Sequence, residues 1–460
     1  MGWPGDFGHP GQRLRSWAVV LCRPRASTTA RVTLLRARKL VSRPRLCATI
    51  VATLRRVVLS DEPPASTPAP LSGNSARVPR DFRLDFFRGL ALFFIFVDHI
   101  PDNPVAHFTL RAFSLADAAE VFIFISGYTA AMVYGQRMLR HGPLFASAQI
   151  LRRTWQLYVA HLCLFLLYSA QVAYTVQHFD NPLFSDELGI GEFLTRPVDT
   201  LFRVLLLEFQ PAYLDILPLY ISLLLVFPLV ILAIRRHALL ALVPSFGMYL
   251  LAQFTSINMP GNTDSDGWYF NPFAWQFLFV IAAVLGYRRT VGRDNLPVRG
   301  RAWIIGAAVV IAAAGMVIQV SWTLHQLDGR IPGILFQTLW PIDKTTLPPL
   351  RIVSILAIAV LAGHFVSRAA GFMISRVGWV IVLCGQNSLN VFCLSILLSL
   401  MGNIALTFVS RTWEMLAVVN VGGVVVMVGL GLLSAWYGNG GRLPARPGGA
   451  DLVPTARAPF

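Results

Sequence analysis

An aspartate and a histidine, Asp98-His99, stand inside an otherwise apolar stretch, Leu84–Pro101, whose other ionisable groups are Asp85 and Arg88. Putting such a group into hydrocarbon costs roughly 3 kcal/mol or more, so a membrane protein keeps them where they face polar partners or water. A second hydrophobic segment is opened by Asp117-Ala-Ala-Glu120 and carries Ser126-Gly-Tyr128. Two neighbouring segments holding carboxylates, an imidazole and a guanidinium describe a reaction or transport site rather than an anchor.

The spacing predicts how these groups are arranged. Arg88 and His99 are eleven positions apart. On a helix that is close to three turns, so they share a face about 16 Å apart along the axis. Asp98 points about 100° away from His99 and is not automatically its partner. Asp117 and Glu120 are three positions apart, on one face of the next segment, near the depth of His99. A carboxylate beside an imidazole fixes its tautomer and raises its basicity, which suits general-base chemistry on a hydroxyl. The plainer readings are a buried histidine bonded to a backbone carbonyl, and acids that open a helix in its dipole field. Ser126-Gly-Tyr128 either permits close helix packing or lets an extended ligand pass the backbone. Arg152 and Arg153, with Tyr158 and His161 further in, are either membrane anchors or a clamp for donor phosphates. Asp215, in Gln210-Pro-Ala-Tyr-Leu-Asp215, and the segment Trp268-Tyr-Phe-Asn-Pro272 suit sugar binding at an outer mouth, although aromatic residues are also ordinary at membrane interfaces.

The elements that must carry these groups follow from hydropathy. Of 460 residues 55% are apolar and only 13% charged, where a soluble domain would carry about 25%. Repeated apolar runs of about 17–22 residues can each cross a hydrocarbon core about 30 Å thick. The expected fold is all-α: a polytopic integral membrane protein of about ten transmembrane helices, near 84–101, 117–136, 154–176, 214–233, 237–256, 272–288, 302–321, 350–367, 378–400 and 415–436. Gly385-Gln-Asn387-Ser388 interrupts the ninth, as a short approach followed by a helix starting near Asn387 would. Arginines cluster after the second, fourth, sixth and eighth segments, and acids in the alternate loops. The positive-inside rule then puts both termini in the cytoplasm.

Residues 1–79 hold thirteen basic and three acidic side chains, a large share of the formal charge of +16. They read as a disordered basic extension, or as a start codon assigned too far upstream, and 441–460 as a cytoplasmic tail, flanking a transmembrane domain over 80–440. The remaining basic residues lie mostly in short loops, so the charge signals topology and not nucleic-acid binding. Cys22, Cys47, Cys163, Cys384 and Cys393 lack ligand spacing and point to neither a disulfide framework nor a metal site.

Several of these motifs together resemble a known family. Arg83-Leu-Asp85-Phe-Phe-Arg88-Gly89 followed by Asp98-His99 is similar to the first-span signature of the membrane acyltransferase-3 superfamily. Asp117 to Tyr128 resembles its OpgC branch more specifically, as does Arg152-Arg-Thr-Trp155-Gln-Leu-Tyr158-Val-Ala-His161. Gly385-Gln-Asn387-Ser388-Leu389 resembles a late-helix motif of the superfamily. The likeness covers about residues 80–436. It implies a bacterial inner-membrane enzyme that O-succinylates osmoregulated periplasmic glucans from cytoplasmic succinyl-CoA, an acyl-CoA cosubstrate with no bound cofactor. It also implies that Arg88 and His99 are key. Gln156 stands where the wider superfamily often has a second arginine, which leaves a donor-phosphate role at that position unsupported. A succinyl donor ends in a carboxylate, so a further cation is expected in the outer half, with Arg111 and Arg351 as candidates. The competing expectations are acetyl transfer to another surface glycan, and a proton-coupled transporter using Arg88, His99 and Glu120.

Overall fold

Asp81 starts the first helix by accepting the Arg83 backbone N–H at 3.2 Å, leaving the apolar run that follows to bond its own backbone as α1, Phe82–Asp98. In a membrane that internal bonding is obligatory, since lipid offers no alternative partner. The computed structural model describes residues 80–181, 183–255, 257–261, 267–292, 302–327, 344–368 and 370–446. The expectations for 1–79, and for the tail beyond 446, lie outside the described residues. The further long helices are α2 (Ala118–His141), α3 (Pro143–Phe179), α4 (Ile216–Arg236), α5 (Ala238–Phe254), α6 (Pro272–Thr290), α7 (Ala302–Leu327), α8 (Pro349–Phe365), α9 (Arg376–Gln386), α10 (Ser388–Ile404) and α11 (Trp413–Gly438). No strand occurs among the described residues.

Each expected span falls on a helix, and among the described residues six helical segments are long and apolar enough to cross a membrane: α2, α3, α4, the first twenty residues of α7, α10 with the turn after it, and α11. Helices α5, α8 and α9 are shorter apolar helices. The ninth expected span is broken where the sequence marked it, with α9 ending at Gln386 and α10 beginning at Ser388.

The third span differs from its expected start. Arg137 and Arg140 lie in α2 and Arg152 and Arg153 in α3, with Gly142 alone as the connection. Gly142 takes φ +85°, a left-handed conformation open to glycine. Pro143 follows at the first helical position, where its missing N–H costs nothing. Arginine is a good helix former, so charge did not interrupt the helix. At 37 residues α3 is about 55 Å long, well beyond one hydrocarbon thickness.

Two glycine-mediated contacts set the bundle around α1 and α2. Helix α2 packs most closely on α6: a Cβ on Gly127 would overlap the Phe279 carbonyl, and one on Gly286 the Tyr128 carbonyl. Helix α9 lies as closely on α1, where a Cβ on Gly385 would overlap the Asp85 carbonyl and one on Gly89 the Ile381 carbonyl. Such approach is the common use of small residues between membrane helices. In Ser126-Gly-Tyr128 the packing reading therefore belongs to Gly127.

At the α1 N-terminus, Asp81 ties three helices. Its carboxylate takes Arg83 at 2.8 Å and Arg289 of α6 at 2.7 Å. Arg83 also donates to the Val366 carbonyl at 2.8 Å, just past α8. Burial alone would raise the Asp81 pKa, but the two guanidiniums outweigh it and hold it at about 2.

Candidate functional site

A cavity of about 410 Å³ opens between α1, α2, α3, α4 and α10. Its polar lining includes Arg80, Arg88 and Arg153, the acids Asp81 and Asp85, and Ser126 and Ser388, and Leu157, Phe122 and Phe392 supply apolar wall. Arg88 reaches it from α1 and is braced by α2. Its Nη2 donates to Thr129 Oγ1 at 2.6 Å, and that hydroxyl in turn donates to the Ile125 carbonyl at 2.7 Å. The Arg88 Nε is buried and has no hydrogen-bond partner, so the guanidinium keeps unspent donor capacity. Asp85, one turn before, accepts from Arg80 at 2.7 Å and from Gln386 at 3.4 Å. The Gln386 amide reaches it because Gly385 lets α9 close on α1. Arg153 donates to Gln156 at 3.3 Å. Three cations over an apolar wall can receive a ligand that is anionic at one end and apolar at the other.

The second centre lies at the other end of α1. His99 caps the helix C-terminus, and its Nδ1 is buried without a hydrogen-bond partner. Asp117 is the N-cap of α2 and forms a reciprocal box with Glu120: its carboxylate accepts the Ala119 N–H at 2.8 Å, and Glu120 accepts the Asp117 N–H at 2.9 Å. Both acids are also ion-paired. Arg351 of α8 meets Glu120 at 2.5 Å and Asp117 at 3.3 Å, and Lys344 meets Asp117 at 2.5 Å. Burial works against the Lys344 charge, but Asp117 and Glu120 more than offset it and raise its pKa. Glu120 is 0% exposed, a position a charge holds only when paired.

Lys344 is placed by a tethered strap. The carbonyls of Lys344 and Thr345 accept from Trp275 Nε1 at 3.1 and 3.2 Å, that of Thr346 from Gln253 at 2.6 Å, and that of Leu347 from Tyr249 at 3.0 Å. Leu347 itself sits at φ +48°, a strained value for a leucine that persists only where its surroundings enforce it.

A family model described as OpgC protein matches residues 80–439. The chain belongs to the OpgC family. Membership points to an acyltransferase-type role in glucan modification, which fits an all-helical membrane protein with a basic cavity and a histidine at opposite ends of one helix. No curated protein and no solved structure matches the chain.

Several of the residues expected from the sequence fall into one or other of the two centres. Arg88, Asp85, Ser126, Arg153 and Ser388 line the cavity, and Asp117 and Glu120 gather at the end of α1 where His99 lies. Among the described residues no carboxylate hydrogen-bonds the His99 ring: Asp98 accepts from Thr109 at 2.7 Å instead, and Asp117 and Glu120 turn to Lys344 and Arg351. Asp215 is the N-cap of α4 without a side-chain capping bond, within electrostatic reach of Lys344. Other expected residues do not line the cavity. Arg83 serves the Asp81 knot. Tyr128 lies against Arg289, Arg152 is exposed, and Tyr158 donates to the Leu205 carbonyl at 2.8 Å. His161 is fully buried with neither ring nitrogen bonded, and Asn387 donates to the Leu383 carbonyl at 3.0 Å, at the α9–α10 break. Of the two cations expected for a succinyl carboxylate, Arg351 is held by Glu120 and Asp117, while Arg111 is exposed.

Lys344 and Thr129 join the two centres without having been expected there. Lys344 did carry a signal: it is one of only two lysines in the chain. Thr129 carried none, because an i−4 back-bonded hydroxyl looks like any other small helix residue.

Proposed function

We propose that this protein is an O-acyltransferase of the bacterial inner membrane, moving a succinyl group from cytoplasmic succinyl-CoA to hydroxyls of periplasmic glucans, with both of its termini cytoplasmic. The observation that carries the reading is the disposition along α1. Arg88, in a cavity it shares with Arg80 and Arg153, and His99, beyond the far end of the helix, are separated by three turns. A donor whose phosphates dock among the arginines has a long, mostly uncharged arm between phosphate and thioester, so its acyl carbon can lie far from its anionic end. His99 removes the proton of a glucan hydroxyl, the hydroxyl oxygen bonds to the thioester carbonyl carbon, and the C–S bond breaks to release the CoA thiolate, which regains a proton. An acyl-histidine intermediate gives the same products in two steps.

A transporter would need Arg88, His99 and Glu120 to exchange protons. Glu120 is instead locked to Arg351, and Arg88 is braced on Thr129.

The test is the charge and mass of periplasmic glucans from a deletion strain complemented with wild type or His99→Ala. Anionic, succinyl-bearing glucans with wild type and neutral ones with His99→Ala are expected. Glucans that stay neutral with wild type would overturn the acceptor or the acyl group, and a mass gain of acetyl would replace succinyl. Equal succinylation by both proteins would remove His99 from the chemistry.

A further inference from the structure

A histidine that removes a proton is ordinarily held by a hydrogen bond to one ring nitrogen, which fixes its plane and tautomer. His99 has no such bond: its Nδ1 is buried and unpartnered, and the nearby carboxylates are engaged elsewhere. What touches the ring is another ring. Tyr213 lies with its centroid 4.7 Å from that of His99, tilted by 54°. This distance is within the range of attractive ring pairs.

The backbone shows that this contact is imposed. Tyr213 sits at φ +71°, in the left-handed region that a bulky side chain occupies only when its surroundings over-determine it. The surroundings are tight. The Ala212 N–H donates to the Leu188 carbonyl at 3.0 Å and the Leu214 N–H to the Pro211 carbonyl at 3.1 Å, closing the turn around Tyr213. Leu214, the next residue, is 0% exposed and anchors the turn in the core. Strain held in place beside an unbonded imidazole is the pattern of a positioning device.

We propose that Tyr213 is the positioning residue of the His99 imidazole, a ring clamp standing where a carboxylate or carbonyl would otherwise orient the base. The role rests on the acyltransferase reading above. With Nδ1 buried and unpartnered, the base role assigned to His99 falls to Nε2. The clamp acts through the ring face and not through the phenol oxygen, so phenylalanine should replace it and smaller residues should not.

The experiment uses the full-length protein purified in detergent, with succinyl-CoA and extracted periplasmic glucan as substrates. Tyr213→Phe should keep kcat close to wild type. Tyr213→Ala and Tyr213→Gly should lower kcat by roughly tenfold to a hundredfold, the scale of a misoriented catalytic group, with KM for succinyl-CoA unchanged. Glycine occupies positive φ without strain, so the Gly variant should unfold no more easily than the Ala variant, which separates lost positioning from lost fold. A second readout does not depend on acyl transfer: mass-spectrometric measurement of His99 carbethoxylation by diethyl pyrocarbonate. The ring should react several-fold faster in the Ala and Gly variants than in wild type or Tyr213→Phe. Equal losses in Tyr213→Phe and Tyr213→Ala would make the hydroxyl the active group and overturn the clamp. Wild-type kcat and His99 labelling in the Ala and Gly variants would also overturn it. Failure of wild type itself to transfer succinyl would sink the underlying reading instead, while the labelling rates would still decide whether Tyr213 holds the ring.

Discussion

Removing Arg351 should loosen the end of the bundle where His99 lies, by an amount that can be worked out. Glu120 has 0% exposure, and its Oε1 meets Arg351 Nε at 2.5 Å. Arg351→Met keeps much of the stem volume and deletes the charge, leaving a buried carboxylate whose other oxygen accepts the Asp117 N–H at 2.9 Å. Breaking a buried pair from one side costs about 3–5 kcal/mol, against a total stability of about 5–15 kcal/mol for a folded domain. The variant should therefore lose a large part of its margin. Glu120→Gln retains an oxygen for the Asp117 N–H and carries no charge, so adding it to Arg351→Met should recover most of the loss. A coupling of about 2–3 kcal/mol is expected between the two positions. The assay is reversible unfolding in mixed micelles for wild type, both single variants and the double. Should Arg351→Met unfold within about 0.5 kcal/mol of wild type, below the additivity error of such cycles, Glu120 would not need a counter-ion and the reasoning would fail. A double variant as unstable as Arg351→Met would refute it equally.

Two further outcomes test the frame around the site. Gly385→Ala should prevent α9 from closing on α1, since its Cβ meets the Asp85 backbone and lies 2.8 Å from the Gly89 nitrogen. A loss beyond the usual 1–3 kcal/mol of overpacking is expected, whereas Gly429→Ala, which meets nothing within 4 Å, should be nearly neutral; folded yield and melting temperature of the two report this. The Asp81 knot should impose an acid limit. Its folded pKa of about 2 lies below the ordinary 3.8, so the knot's contribution, about 2 kcal/mol from that difference, is full above pH 4. It is lost as pH falls towards 2. Unfolding measured against pH should show Asp81→Asn less stable than wild type at pH 7, with the gap closing near pH 2.

Much of the architecture was legible because it depends on local rules. The apolar runs located every long helix among the described residues, and the acid pair Asp117 and Glu120 announced a helix start that proves to be a reciprocal capping box. The Gly385-to-Ser388 interruption marked the α9–α10 break. Arg88 and His99 stood out because charge in an apolar run is costly wherever the run folds. The start of α3 was misread for a related reason: a cluster of arginines resembles a loop in a hydropathy profile, yet arginine continues a helix well, and one glycine sufficed for the turn.

Pairing was the part that local rules could not supply. Asp117 and Glu120 looked like partners for His99 because they lie near it in the chain, but a cation more than two hundred residues downstream takes Glu120. That outcome depends on how α8 and its strap pack beside α2, and on Gly127, Gly286 and Gly385 setting the helices at contact distance. The Tyr213 clamp is a still clearer case, because only a folded environment can hold a tyrosine at φ +71° against a histidine from another helix. Hydropathy, caps and charge placement act over a few residues and are written along the chain; which buried charge meets which, and which ring lies against His99, emerges only when distant helices are brought together.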